Sequence, residues 1–400
     1  MKVLWLVSSY PRWPGDSASI FLHHLAKALE KEGIEIHIVL PDHLKIDHTG
    51  SSITLHPFRY FIPRKSQELA YGSGILPNLR SKPRLYTQIP PFLAGMWIKT
   101  QYLCRALEPD LIHAHWILPQ GTIATLAGKM YNIPVLVTAH GGDAFAFQNG
   151  WLQRLKQWTL LNADAWTTNA RATAKATGST ISPEVIPMGV NFDQFSKAAP
   201  GSLLDAKNND RIVLFVGRLV EKKGVSDLIS AFSKLSSLSR LQLWIVGEGE
   251  QRRKLENLTT SLGIEKRVHF WGRIPNVSLP SYYAAADLFV APSVVDPMGD
   301  TEGQGVVFLE AMASGTAVIA THVGGIGEVI ENRINGLLVS PNNPDELYRS
   351  MEQLLSDDTL RSQLARQGQE TAKAYHWTTI AQRFFTLYKR LIHDRKLPAK

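Results

Sequence analysis

Two carboxylates, Glu302 and Glu310, stand eight residues apart in the run Glu302-Gly303-Gln304-Gly305-Val306-Val307-Phe308-Leu309-Glu310. A helical path between them would separate them by about 12 Å, at ~1.5 Å per residue. That resembles the distance from the sugar of a nucleotide sugar to its ribose. Gly303 and Gly305, at the start of such a helix, would turn backbone N–H groups towards phosphates and hydroxyls lying between the acids. An acid at 310 inside the apolar run from Val306 to Ala313 is costly without a partner, which favours a ligand-binding reading over a simple buried pair.

Other candidates follow predicted strands, where ligands bind in open α/β sheets. Gly217-Arg218-Leu219-Val220-Glu221-Lys222-Lys223-Gly224 sets the planar fork of Arg218 five residues from the mobile charge of Lys223, a pair suited to neutralising a leaving diphosphate. Ala139-His140-Gly141-Gly142-Asp143 puts a histidine where glycines allow close approach. Its neighbouring acid either orients the ring, binds a hydroxyl or caps the next helix. In the loop Ser8 to Ser19, Gly15 and small residues let N–H groups approach an anion, but the loop is not G-x-G-x-x-G, which weakens a dehydrogenase reading. The turn Trp271-Gly272-Arg273-Ile274-Pro275 lets backbone come near a base. His113 and His115 also end a strand, yet no compact ligand spacing supports a metal, and none is expected.

Alternating strand-length apolar runs and amphipathic helices must position these groups, the sign of parallel βαβ units. The expected strands are 2–7, 35–40, 110–114, 134–139, 165–168 and 184–187, then 211–216, 242–246, 268–271, 288–291, 317–321 and 336–339. Each set reads as a doubly wound sheet, so the fold class is α/β with two Rossmann-like domains. A first domain is expected over 1–195, a linker over 196–210, a second domain over 211–375 and a C-terminal helix over 376–400. That helix carries Ile380, Phe384, Phe385, Tyr388 and Leu391 on its apolar side and is expected to cross back onto the first domain.

At 400 residues, with 44% hydrophobic and 20% charged residues, the composition is that of an ordinary globular protein. Cys104 is the only cysteine, so no disulfide framework exists and a reducing, cytoplasmic setting is expected. No run of about 18 apolar residues occurs that would span a bilayer. The formal charge of +8 concentrates in the first half, above all at Arg59, Arg64, Lys65, Arg80, Lys82, Arg84, Lys99 and Arg105, against Glu68 alone between residues 51 and 105. Such a patch attracts anions: an anionic membrane surface at the inner face of the cell membrane, or a diphosphate-bearing acceptor. Nucleic acid is not expected, because no stacking platform or reader motif accompanies the charge.

Taken together, these residues resemble glycosyltransferase family 4, of the GT-B fold, over nearly the whole chain. Its E-x7-E motif matches Glu302 and Glu310, followed by Ala311-Met312-Ala313-Ser314-Gly315. Its G-R-x(4)-K-G phosphate motif matches Gly217, Arg218, Lys223 and Gly224, and its H-G-x-D element matches His140, Gly141 and Asp143. Gln304 stands where members often have Phe, a departure that bears on the identity of the sugar. The resemblance implies two Rossmann-like domains facing across a cleft and a retaining transfer, without metal, of a hexosyl group from a nucleotide-diphosphate sugar to a glycan or lipid-linked acceptor, in bacterial polysaccharide or glycolipid synthesis. Arg218 and Lys223 would then hold the diphosphate, Glu302 the sugar hydroxyls, Glu310 the ribose, and backbone at Ile274 the base, with His140 near the reacting side. The transfer would follow a front-face route or use a carboxylate nucleophile, Asp143 or Glu302. The rival readings are a nucleotide-sugar epimerase or hydrolase, and a non-catalytic nucleotide-sugar-binding protein.

Overall fold

A computed structural model describes the whole chain apart from residues 14, 47–52, 71, 73, 202, 204–209, 237–239 and 397–400. Among the described residues the strands are β1 (Lys2–Leu6), β2 (Glu35–Pro41), β3 (Thr54–Phe58), β4 (Leu111–His115), β5 (Val135–Ala139), β6 (Ala165–Thr168), β7 (Glu184–Val185), β8 (Arg211–Val216), β9 (Leu241–Val246), β10 (Val268–Gly272), β11 (Leu288–Ala291), β12 (Ala317–Thr321) and β13 (Leu337–Val339). They form a seven-stranded sheet of order β3-β2-β1-β4-β5-β6-β7 and a six-stranded sheet of order β10-β9-β8-β11-β12-β13. Every ladder is parallel. Central strands such as Ile212–Val216 and Val318–Ala320 are buried throughout, as expected of parallel strands covered on both faces by crossover helices.

All twelve expected strands are present, four with the expected bounds and the others with an end shifted by one or two residues. β3 is additional. Its sequence, Thr-Leu-His-Pro-Phe, lacks a clean apolar run, and Pro57 confines it to the sheet edge, where a missing N–H costs nothing.

The chain divides into two compact units, Met1–Ile186 with Trp377–Lys400, and Pro187–His376. The change-over at 186/187 therefore precedes the expected 196–210 linker, of which 202 and 204–209 lie outside the described residues. Residues 187–195 belong with the second unit because the short helix Phe192–Ser196 packs on the helices Leu279–Ala285 and Val306–Ala313, where Phe195 meets Tyr283 ring to ring. The last helix, Trp377–Lys396, belongs with the first unit. It packs on the helix Ile20–Lys31 and on β4, burying Ile380, Phe384, Tyr388 and Leu391, and Arg390 and Arg395 pair with Glu184 and Asp164.

In each sheet one pair of neighbouring strands starts crossovers running in opposite directions: β1 and β4 in the first, β8 and β11 in the second. The carboxyl ends of such a pair open a crevice for ligands; the loops carrying Gly15, Arg218 to Lys223 and Glu302 follow β1, β8 and β11, whereas His140 follows β5 and Ile274 follows the edge strand β10.

Candidate active site

In the second domain, Gly217 and Arg218 follow β8, and a single 3-10 turn, Glu221–Lys223, leads into the helix Val225–Ser233. Gly224 closes that turn with φ +63°, and a Cβ there would lie 1.9 Å from the carbonyl oxygen of Pro292. Only glycine permits this approach, and it brings Lys223 against the loop that leaves β11. Val294 N–H donates to the carbonyl of Lys222 at 2.8 Å, tying the two loops together.

The β11 loop carries Glu302, whose carboxylate is ion-paired with Lys223, both side chains being largely buried. Burial alone would raise the carboxyl, but Lys223, Lys222 and Arg218 outweigh it and hold Glu302 below its ordinary range. Lys222 reaches the other way, donating to Asp300 at 2.9 Å and to the carbonyl of Thr301 at 3.1 Å, so it fastens the residues that precede Glu302. Arg218 is exposed and makes no ion pair among the described residues. An anchored cation, an ionised acid and an accessible guanidinium thus share one strand-end crevice, a setting for a diphosphate with hydroxyls beside it.

The helix expected from Glu302 onwards begins later, at Val306, and runs to Ala313, with Gly305 as its left-handed N-cap at φ +77°. Glu302, Gly303 and Gln304 lie ahead of it, so a helical rise does not set the spacing of the two acids. Glu310 sits within the helix, and its Oε2 accepts from the hydroxyl of the fully buried Tyr283 at 2.8 Å. Burial pushes the Glu310 carboxyl up to about 7, against the lowering effect of that bond. Tyr283 comes from the helix Leu279–Ala285, which follows the loop containing the half-buried Ile274.

Gln304 is 2% exposed. Its Oε1 accepts from the N–H of Met188 at 2.6 Å and its Nε2 donates to the carbonyl of Met188 at 2.9 Å. The amide is spent on the backbone of the chain entering this domain, which differs from the expected bearing on the sugar.

In the first domain, His140 follows β5 and is 7% exposed. Its ring lies between the rings of Phe21 and Trp116, with centroids at 5.1 and 5.2 Å, and Nε2 is 3.2 Å from Nδ1 of the fully buried His115. Burial pushes His140 down to about 3, so it is neutral at physiological pH. His113, beside them, bonds Tyr388 of the last helix at 2.6 Å and Thr138 at 2.7 Å. Among the described residues, no group of three or more His, Cys, Asp or Glu is placed to hold a metal ion.

Both oxygens of Asp143 are taken by backbone: Oδ1 accepts from His140 N–H at 2.8 Å and Oδ2 from Ile117 N–H at 2.7 Å. Of the roles open to it in the sequence, the geometry matches the helix cap, since Asp143 is the third residue of the turn Gly141–Phe145. Its carboxylate also binds the loop after β4, where Trp116 has the strained backbone φ +80°. Burial pushes Asp143 up to about 7, opposed by these bonds and by Lys156. Lys156, 1% exposed, donates to the carbonyls of Ala144 and Ala146 at 3.0 and 2.7 Å, and burial lowers it to about 8. The His-Gly-Gly-Asp turn is therefore held at both ends. Gly15 is exposed in the β1 loop, where Asp16 accepts from the N–H groups of Arg12 and Ala18 and from the Arg12 guanidinium.

Lys156 and Tyr283 belong to no sequence motif. Lys156 left a trace: it lies four residues after Leu152 and four before Leu160, on the inward stripe of its helix. Tyr283 left none, because a Tyr-Tyr pair in a short helix has no distinctive spacing.

Residues 204–371 match the family model described as glycosyl transferases group 1, and residues 18–194 match that of glycosyltransferase family 4. An uncharacterized glycosyltransferase of Methanocaldococcus jannaschii is 35% identical over 187 residues, a match spanning 46% of either chain. TuaC of Bacillus subtilis, a glycosyltransferase assigned to teichuronic acid biosynthesis, is 26% identical over 387 residues and 94% of each chain. Among solved structures, Anabaena HepE in complex with UDP-glucose superposes with a TM-score of 0.76 at 23% identity, covering 98% of this chain and 100% of that one. This last likeness is one of fold.

Proposed function

The chain belongs to glycosyltransferase family 4, and from that premise we propose that this enzyme is a retaining hexosyltransferase using a nucleotide-diphosphate sugar as donor and a glycan or lipid-linked acceptor. The observation that carries the reading is the Lys223–Glu302 ion pair beside the exposed Arg218, at the switch point of the second sheet. The UDP-glucose held by HepE supports a donor of that class.

In this reading Arg218 and Lys223 neutralise the diphosphate as it leaves. Glu302, released from Lys223 by the incoming phosphate, accepts from sugar hydroxyls, with N–H groups of Gly303 and Gly305 nearby. Glu310 accepts from the ribose, and backbone at Ile274 meets the base. From the first domain we assign Gly15 to the phosphates and His140, a neutral imidazole, to the reacting side of the sugar. Because Asp143 spends both oxygens on backbone, we favour the front-face route. The phosphate oxygen that leaves the anomeric carbon takes the proton of the acceptor hydroxyl while the new glycosidic bond forms on the same face. Catalysis is then positioning and electrostatics. No metal is required in this scheme, so activity survives a chelator. We assign the work to polysaccharide or glycolipid synthesis at the inner face of the cell membrane.

A panel of nucleotide sugars screened by thermal shift, followed by product analysis with the one that binds, tests the reading. We expect one donor to raise the melting temperature and the product to be a glycoside whose anomeric configuration matches the donor. An epimerised or hydrolysed sugar formed equally well without acceptor would overturn it.

A further inference from the structure

The helix Ile89–Leu107 buries Phe92, Met96, Thr100, Leu103 and Cys104 and rests near Gly95 on the backbone of Arg59. Its other face carries Pro90, Leu93, Ala94, Ile98, Tyr102 and Arg105, all exposed. The spacing of three and four residues makes this one continuous stripe, about 24 Å long at ~1.5 Å per residue. Ile98 is 66% and Tyr102 63% exposed, and Tyr86, just ahead of the helix, 58%. A stripe of large apolar side chains on this scale calls for a partner.

Charge says which partner. Residues 69–107 contain no Asp or Glu but five Lys and Arg. Lys82 and Arg84 are paired with Glu68. Arg80, Lys99 and Arg105 have no ion pair among the described residues, and Lys99 and Arg105 lie over the rings of Tyr102 and Tyr131. Long cationic side chains at the margins of an apolar stripe with tyrosines towards its ends form the pattern of a helix lying in a membrane interface: the apolar face sinks to the acyl boundary and the cations remain among anionic headgroups. No helix among the described residues is long and apolar enough to cross a membrane, so contact of this kind would be lateral.

We propose that the exposed face of the helix Ile89–Leu107 is a docking surface for an anionic lipid bilayer, holding the first domain where a lipid-linked acceptor is presented. This deepens the membrane reading above and rests on it for its purpose, but its test needs no turnover. The full chain is sedimented with phosphatidylcholine vesicles, with and without phosphatidylglycerol, at low salt. We expect co-sedimentation only with the anionic vesicles, and a loss of more than about tenfold in partitioning for both Ile98→Ser/Tyr102→Ser and Lys99→Glu/Arg105→Glu. Ile98, Tyr102 and Arg105 are exposed and Lys99 is half-buried without an ion pair among the described residues, so melting temperature and donor binding should not move. Wild-type protein remaining in the supernatant, or variants sedimenting like wild type, overturns the proposal. So does sedimentation velocity in which Ile98→Ser/Tyr102→Ser turns a dimer into a monomer, since the stripe would then meet a second copy. A chain that sediments but transfers no sugar keeps this surface and loses the hexosyltransferase reading; one that transfers and never sediments does the reverse.

Discussion

Tyr283 donates its hydroxyl hydrogen to Oε2 of Glu310 at 2.8 Å from a side chain with no solvent exposure. The bond orients the carboxylate and opposes the burial that lifts it to about 7. Removing it in Tyr283→Phe, with the ring retained, should push Glu310 higher and leave less of it ionised at pH 7. If Glu310 accepts from the ribose, donor affinity at pH 7 should fall about three- to tenfold, the net worth of one ordinary hydrogen bond. Most of that loss should return by pH 8.5. Calorimetric titration with the donor nucleotide at both pH values checks this, and an equal loss at each would remove the link to ionisation.

The same carboxyl sets a cost in the empty enzyme. Its folded value near 7 lies above the unfolded value of about 4.3, so its contribution to stability is full below about pH 4 and is lost as pH rises towards 7. Glu310→Gln should therefore melt close to wild type at pH 4.5 and be more stable at pH 8, by about 1–2 kcal/mol, while donor binding is lost. Melting curves at the two pH values decide it. Stabilisation that does not depend on pH would mean the gain comes from packing.

Lys223 and Glu302 neutralise each other while no phosphate is present. Lys223→Met removes the strongest influence holding Glu302 ionised, leaving Lys222 and Arg218, and takes a cation from the leaving group. A loss of about 10²- to 10³-fold in kcat/KM is expected, as for removal of one donor to a developing oxyanion. Lys222→Met should act more weakly, through the loop at Asp300 and Thr301. Equal losses for the two would contradict the division of labour.

How far these arrangements could be read in the sequence depended on how local their causes are. Strand positions came from runs of Val, Ile and Leu, whose burial follows from parallel pairing. β3 escaped because Pro57 is tolerated only through its place at the edge, a fact of tertiary structure. Arg218, Lys223 and Glu302 were legible because glycines mark their turns. Tyr283 and Lys156 were not singled out, since their roles arise from contacts with residues 27 and 12 positions away. Asp143 was seen, but its choice between ligand and cap depended on Ile117, which only the fold brings near. Residues 196–210 have the polar, glycine-containing composition of a linker, whereas the division into compact units falls after Ile186, with Gln304 fastening Met188 just beyond it.

Asp143 holds two part-buried backbone N–H groups, those of His140 and Ile117. Asn supplies one acceptor oxygen, so Asp143→Asn should lose about 1–3 kcal/mol of stability, the cost of one orphaned donor. Activity should fall in part, through displacement of His140 and Trp116, without being abolished. Mass spectrometry of wild type quenched during turnover should find no hexosyl adduct on Asp143. An adduct there would restore the double-displacement route.

Gln304 offers the sharpest separation between a clasp and a sugar-contacting residue. Gln304→Phe strips Met188 of both its N–H and its C=O partner. At a site 2% exposed, that should cost about 2–3 kcal/mol and lower the melting temperature by several degrees. Because the wild-type amide is engaged with backbone, preference between gluco- and galacto-configured donors should remain as it was. Competition between the two donors, measured as a ratio of kcat/KM, isolates this from loss of folded enzyme. A reversed ratio with unchanged melting would return Gln304 to the sugar and leave the clasp without consequence.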